Sequence, residues 1–195
     1  MYLKSIEING FKSFSDKIKL DFKKGITSIV GPNGSGKSNI LDAILWVLGE
    51  QSHKSIRVKE GTDVIFSGGK NKSPKGMAQV ALIIDNSDSF LQIGYNEVKI
   101  ERRIFRSGEN EYYINNQKVR LKDINELFLD TGIGKNAYSI IGQGKVEQII
   151  LSNPKEIRNI IEEAAGIKKV KSRKEEAEKN LELFSIFCFP FFCFL

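Results

Sequence analysis

The sequence predicts an α/β fold in which a phosphate-binding loop and its helix are joined to an antiparallel sheet and a trailing helix. Three observations predict it. A β-branched run, Ile26 to Val30, leads through the glycine-rich stretch GPNGSGKS at 31–38 into apolar residues at helical spacing. Three runs, Ala78–Asp85, Glu97–Phe105 and Glu111–Ile114, have strand length and strand composition. Asn153-Pro154-Lys155-Glu156 then opens a helix whose continuation is rich in Lys, Arg and Glu. Residues 1–152 read as one lobe, 153–183 as the start of a coiled-coil arm, and 184–195 as a tail of different character.

Taken in order, Ile6 and Ile8, then Ile18, Leu20 and Phe22, alternate with polar residues and predict two half-buried strands. Asn9-Gly10 and Lys23-Lys24-Gly25 supply their turns, and Phe11 and Phe14 between them are core candidates. Ile26–Val30 is the expected strand before the loop. Ile40, Ala43, Ile44, Val47 and Leu48 form the main stripe of the following helix. Leu41 and Leu45 flank that stripe, which predicts a helix buried between two layers.

Gly49–Gly61 is a polar loop containing Lys54, Arg57 and Lys59. Its His53, the sole histidine, has no partner at metal-ligand spacing and reads as a solvated loop residue. Asp63–Phe66 is expected as a short strand and Gly68–Gly76 as a basic loop. The three later runs predict the antiparallel sheet, appended to a parallel nucleotide core, with a turn at Asn115-Asn116 before Val119. Leu121–Leu129 is a helix candidate, broken by Thr131-Gly132-Ile133-Gly134. In the last helix Asn153 is the expected N-cap, and Ile157, Ile160, Ile161, Ala164 and Ala165 make one face. Beyond Gly166 the apolar anchors thin to Val170, Ala177 and Leu181. The tail FSIFCFPFFCFL stops that pattern abruptly and reads as a truncation or a frameshift.

Composition narrows the function classes. The chain has 195 residues, 41% of them hydrophobic, enough for one real core. A net charge of +6 suits a nucleic-acid partner without requiring one. No cysteine precedes the tail, which excludes a disulfide framework there and suits a reducing cytosol. The N-terminal residues alternate and form no apolar block, unlike a secretory leader, and no apolar stretch reaches membrane-span length.

The loop carries the chemistry. GPNGSGKS fits G-x-x-x-x-G-K-S/T without mismatch. Gly31, Gly34 and Gly36 let main-chain N–H groups curl around phosphate oxygens, and Lys37 brings a compact positive charge to the β- and γ-phosphates. The Ser38 hydroxyl is a hard ligand for Mg²⁺. The helix that follows turns its positive dipole end to the anion. Val80–Asp85 mimics a strand ending in a metal-organising acid, but Asn86 follows it and no glutamate is there to act as base. Asn71-Lys72-Ser73-Pro74 lacks the aspartate of a guanine-reading motif, which argues against a GTPase.

Five segments together resemble one family: GFKSF at 10–14, GPNGSGKSNILDAI at 31–44, WVLGEQS-x-x-S-x-R at 46–57, YSIIGQG at 138–144 and IIEEAAGI at 160–167. They are similar to the N-terminal head segment of bacterial SMC proteins, chromosome-condensing ATPases of the ABC-like class, over about residues 1–183. The resemblance implies the N-terminal lobe of an ABC-type P-loop head, with ATP and Mg²⁺ as cofactors. It implies that Pro32, Asn33, Gly34, Ser35, Gly36, Lys37, Ser38 and Asn39 wrap the phosphates. Arg57 then approaches the phosphates, Lys12 and Ser13 lie near the nucleotide, and Ser38 and Gln143 reach Mg²⁺, Gln143 also meeting the attacking water. On residue chemistry alone, Arg57 stays open as a solvated loop cation and Gln143 as an ordinary loop amide.

The implied partners are a C-terminal head lobe, a second head, kleisin-type accessory subunits and duplex DNA, in the cytoplasm with the nucleoid and without a membrane. Lys70–Lys75 and Lys168–Lys174 are the candidate DNA contacts. The family's ABC signature, Walker B acids and histidine loop lie in a C-terminal segment, and Ser67-Gly68-Gly69-Lys70 is too early in the chain to be that signature. The expectation is a chain that cradles Mg·ATP weakly and hydrolyses it negligibly alone. The alternatives are a head segment of a repair or recombination ATPase, a stand-alone P-loop NTPase relying on Asp85, and a non-catalytic remnant that docks to a complementary lobe.

Overall fold

The computed structural model describes residues 1–128, 140, 141, 150, 153–164, 174, 177, 178 and 181. Its centre is a six-stranded antiparallel sheet. The strands are β1 (Tyr2–Asn9), β2 (Ile18–Asp21), β3 (Met77–Asp85), β4 (Glu97–Phe105), β5 (Asn110–Ile114) and β6 (Gln117–Val119), in the order β2-β1-β3-β4-β5-β6. Alternation fixes the register of the outer pair, with Ile6 opposite Leu20 and Ile8 opposite Ile18. β3 is apolar along most of its length because it is central, pairing with β1 from Tyr2↔Asp85 to Asn9↔Gln79 and with β4 from Met77↔Phe105 to Asp85↔Glu97. The β5–β6 turn puts both Asn115 (φ 47°) and Asn116 (φ 67°) in the left-handed region, as a two-residue hairpin of primed type requires.

Helix α1 (Lys37–Val47) lies across β3 and β4. Ile40, Ala43, Trp46 and Val47 face the sheet and share one core with Ile6, Ile8, Val80, Leu82, Ile100 and Ile104. Phe11 packs on Trp46, with ring centroids 5.3 Å apart. At the C-terminal end of α1, Arg102 of β4 takes over the capping role. Its Nη1 donates to the Trp46 carbonyl at 2.8 Å and the Glu50 carbonyl at 3.1 Å, and the guanidinium lies 4.4 Å from the Trp46 ring centroid. The last turn of α1 has no basic residue of its own, so a cation from the sheet satisfies its carbonyls.

Helix α2 (Leu121–Phe128) follows β6 directly, its entry capped by Asp123 accepting from the Arg120 N–H at 2.8 Å, and buries Ile124 and Phe128 in the same core. Helix α3 (Pro154–Ala164) starts where the sequence places it, with the Asn153 carbonyl accepting from the Ile157 N–H at 3.1 Å.

Four expectations change. Ile26–Val30 is not a strand. Ile26 and Val30 are fully or almost fully exposed and no ladder reaches them. A parallel strand needs hydrogen-bonding neighbours, and the described sheet already ends at β2 and β6, so the described residues form no parallel core. Leu41, Ile44 and Leu45 are half-buried rather than enclosed, because the sheet covers α1 from one side. Asp63–Phe66 begins inside a 3-10 turn (Gly61–Val64), where the Asp63 carboxylate accepts from the Glu60 N–H at 2.8 Å; only Ile65 makes a bridge, to Phe11. Phe14 is partly buried and packs on the core from its edge. The expected break at 131–134, Val170 and the tail 184–195 lie outside the described residues.

Candidate phosphate-binding site

The glycine-rich loop ends in Gly36, the N-cap of α1, at φ 89° and with no side-chain cap. The first turn of α1 has no acidic residue. The helix therefore presents main-chain N–H donors and a positive dipole end with no carboxylate competing for them. Asn39 N–H turns back to the Gly36 carbonyl at 2.9 Å. At two of its glycines the loop is closely approached by serine hydroxyls. A Cβ on Gly31 would stand 2.9 Å from Ser35 Oγ, and one on Gly36 would stand 3.0 Å from Ser13 Oγ. Lys37 Nζ folds over the loop and donates to the carbonyls of Gly31 at 2.6 Å and Pro32 at 2.7 Å. An ammonium, the Ser35 hydroxyl and helix-end amides meet at this loop, Ser38 following directly in the chain, and this donor set fits a polyphosphate.

Lys12 and Ser13 are brought to this site by the turn after β1. Ser13 Oγ accepts from Asn39 Nδ2 at 2.7 Å, which ties the turn to the first turn of α1. Lys12 Nζ donates to Asp42 Oδ2 at 2.6 Å and also to the Ile56 carbonyl. Arg57 reaches the same Asp42 oxygen through Nη2 at 2.5 Å. Beside them opens a cleft of about 750 Å³, lined by Lys12, Asn39, Arg57, Asp63, Ile65 and Ser67 among others. The structure thus gathers Lys12, Ser13, Asn39 and Arg57 around the loop. Gln143 lies outside the described residues.

Asp42, Asp63 and Ser67 were not legible as site residues. Asp42 occupies a polar position within an apolar helix, where an acid ordinarily marks the solvated face. Its one signal was that acid sitting inside an otherwise apolar stripe.

Of the decoys, Asp85 falls away from the loop, while Ser67 of the other lines the cleft. Asp85 is at the end of β3 remote from the β1 turn, and nine residues of strand put it roughly 26 Å from Met77. Hydrogen bonds from Ser87 hold its carboxyl below the usual range. Ser67–Lys70 is a turn, with Gly68 at φ 103° and the Gly69 N–H bonded to the Lys72 carbonyl at 2.9 Å. Lys72 is engaged by Asp16 and Ser15.

The family model for the RecF/RecN/SMC N-terminal domain matches residues 2–176. The chain belongs to that family. Within it, the chain is 70% identical over 181 residues to the chromosome partition protein Smc of Fusobacterium nucleatum, a match covering 93% of this chain and 15% of that protein. Among solved structures, the Smc head domain of Pyrococcus furiosus, with an extended coiled coil and bound to the C-terminal domain of ScpA, superposes with a TM-score of 0.82 at 39% identity. That match covers 93% of this chain and 46% of the other. A chain from work on ATP-driven dimerization and DNA-stimulated activation of SMC ATPases superposes at 0.76 with 38% identity, over 84% of this chain and 99% of that one. The fold is therefore that of the N-terminal part of an SMC head, an ABC-type P-loop ATPase. The chain spans about 15% of the length of the curated SMC relatives it matches.

Proposed function

We propose that this chain is the ATP-binding N-terminal part of a chromosome-partitioning SMC ATPase, with residues 1–152 as the lobe and 153–183 as the first part of a coiled-coil arm. The observation that carries the proposal is the uncapped, acid-free start of α1 wrapped by Gly31–Gly36 and covered by Lys37. Main-chain amides from Pro32 to Asn39 hold the phosphates. Lys37 exchanges its two carbonyl partners for β- and γ-phosphate oxygens, a stronger charge-assisted contact. The cleft beside the loop receives the nucleoside, with Lys12, Ser13 and Arg57 at its edge. Ser38 and Gln143 would hold Mg²⁺. Bound metal neutralises phosphate charge and orients the groups that react.

Turnover requires the C-terminal head segment and a second head, in keeping with the ATP-driven dimerization named for a solved relative. Kleisin-type subunits and duplex DNA are the further partners. A bound ScpA domain supports the first and DNA-stimulated activation the second, each in a solved SMC relative. Lys70, Lys75 and Lys168–Lys174 are the proposed DNA contacts on this chain. A repair or recombination role is not favoured, given the Smc relatives.

The experiment is steady-state ATP hydrolysis by the purified chain, alone and mixed with a separately produced C-terminal head segment. Negligible turnover alone, and Lys37-dependent turnover in the mixture, is the expected result. Robust Lys37-dependent turnover by the lone chain contradicts the division of labour and returns Asp85 to consideration.

A further inference from the structure

We propose that Asp42 is the positioning residue of this site: from α1 it holds the guanidinium of Arg57 and the ammonium of Lys12 at the mouth of the nucleotide cleft. The inference rests on the nucleotide reading of that cleft. Asp42 is only 3% exposed, and a buried carboxylate is costly unless cations meet it. Here two cations converge on one oxygen. They come from separate loops, 30 residues before it and 15 residues after it.

The backbone shows that the arrangement is imposed. Lys12 (φ 47°) and Arg57 (φ 52°) both sit in the left-handed region, where a non-glycine residue persists only if its surroundings fix it. Lys12 also bonds the carbonyl of Ile56, the residue before Arg57, so Lys12, Asp42 and the 56–57 segment form one closed hydrogen-bonded ring. Arg57 is half exposed and lines the cleft. A guanidinium has five N–H donors, and among the described residues only the Nη2 of Arg57 is engaged, which leaves donors of a cleft-lining residue for a ligand. Asp42 stands on the helix that begins with Lys37 and Ser38, about 7.5 Å along the axis from Lys37. It therefore references a loop cation to the same rigid element that carries the phosphate-binding groups. Without that tether, nothing among the described residues would tie the Arg57 side chain to α1.

The test combines two measurements on the 195-residue chain. Nitrogen-15 NMR of the Arg57 guanidinium, assigned with Arg57→Lys, reads the tether without nucleotide. Slow rotation of the Nη groups in the parent chain and its loss in Asp42→Asn is expected; an unchanged Arg57 signal in Asp42→Asn overturns the proposal. Calorimetric Mg·ATP titration of Asp42→Asn, Arg57→Ala and the double variant reads the consequence. Each single change should weaken binding about tenfold, the scale of one charged hydrogen bond, and the double variant should lose clearly less than the two losses combined, what it loses beyond Arg57→Ala being the share of Lys12. Additive losses would mean that Asp42 acts through the fold at large, and would overturn the positioning role. If Asp42→Asn does not fold, Asp42→Glu takes its place. It should shift the Arg57 signal and weaken binding in the parent, and weaken it less in the Arg57→Ala background; no shift overturns the proposal. Mg·ATP uptake that is indifferent to Lys37→Ala, with the Arg57 signal still dependent on Asp42, would sink the nucleotide reading and leave the tether standing.

Discussion

Gly36 and Gly34 separate two reasons for glycine in one loop. Gly36 has a left-handed backbone and neighbours at close range, Ser13 Oγ at 3.0 Å and the Phe14 ring at 3.4 Å from where a Cβ would stand. Gly34 has the left-handed backbone, φ 81°, but nothing within 4 Å. Gly36→Ala should therefore destabilise the chain by about 1–2 kcal/mol, combining backbone strain with displacement of the Ser13 turn. Gly34→Asn should cost clearly less, since asparagine tolerates that backbone. Urea midpoints of the two variants check this, and equal midpoints would contradict it. The loop motif made both glycines legible as necessary. It did not separate them, because the difference lies in Ser13 and Phe14, more than twenty positions earlier. The same holds for Asp42. Its meaning comes from Lys12 and Arg57, and neither cation is a helix neighbour of it.

At the scale of elements, β4 places opposite chemistry on its two faces. Arg102 points at α1 and fastens it, while Glu101 points away and is nonetheless only 2% exposed. Glu101 is held by Lys99 at 2.9 Å, Arg103 at 2.5 Å and Gln79 at 2.9 Å. Burial by itself pushes its carboxyl up, but the hydrogen bonds and charges of Lys99 and Arg103 outweigh this and leave it below the usual range. A carboxyl whose pKa is lower folded than unfolded adds stability above the unfolded value. That stability is lost as pH falls through the folded one. The melting-temperature gap between the parent and Glu101→Gln should thus narrow from about pH 7 to about pH 3. A gap that stays constant or widens on acidification would contradict the assignment. Strands β1, β2, β4 and β5 were legible because half-buried antiparallel strands alternate and their turns carry Gly or Asn, and β3 because a continuous apolar run of strand length suits a central strand. Ile26–Val30 misled because its composition is that of a strand while its hydrogen-bonding neighbours are not among the described strands. Composition reports what a segment suits, and pairing decides what it becomes.

At the scale of the molecule, part of the exposed apolar surface adjoins the phosphate loop in the chain. Ile26, Ile29 and Val30 stand open to solvent just before the phosphate loop, and Leu41, Ile44 and Leu45 leave the outer face of α1 half covered. Burying such a surface is favourable, at roughly 25 cal/mol per Å². That favours covering the apolar residues beside the phosphate loop. The parts of the site that were legible from sequence are those held by one contiguous segment, Gly31 to Asn39. The cleft and the Asp42 ring were not, since four segments distant in the chain build them. The functional reading depends on the loop gripping a nucleotide through Lys37. Calorimetry of the folded chain with Mg·ATP tests this most directly. Saturable uptake that weakens about tenfold or more in Lys37→Ala is the predicted result, and no uptake by the folded parent, or equal uptake by both chains, would contradict it.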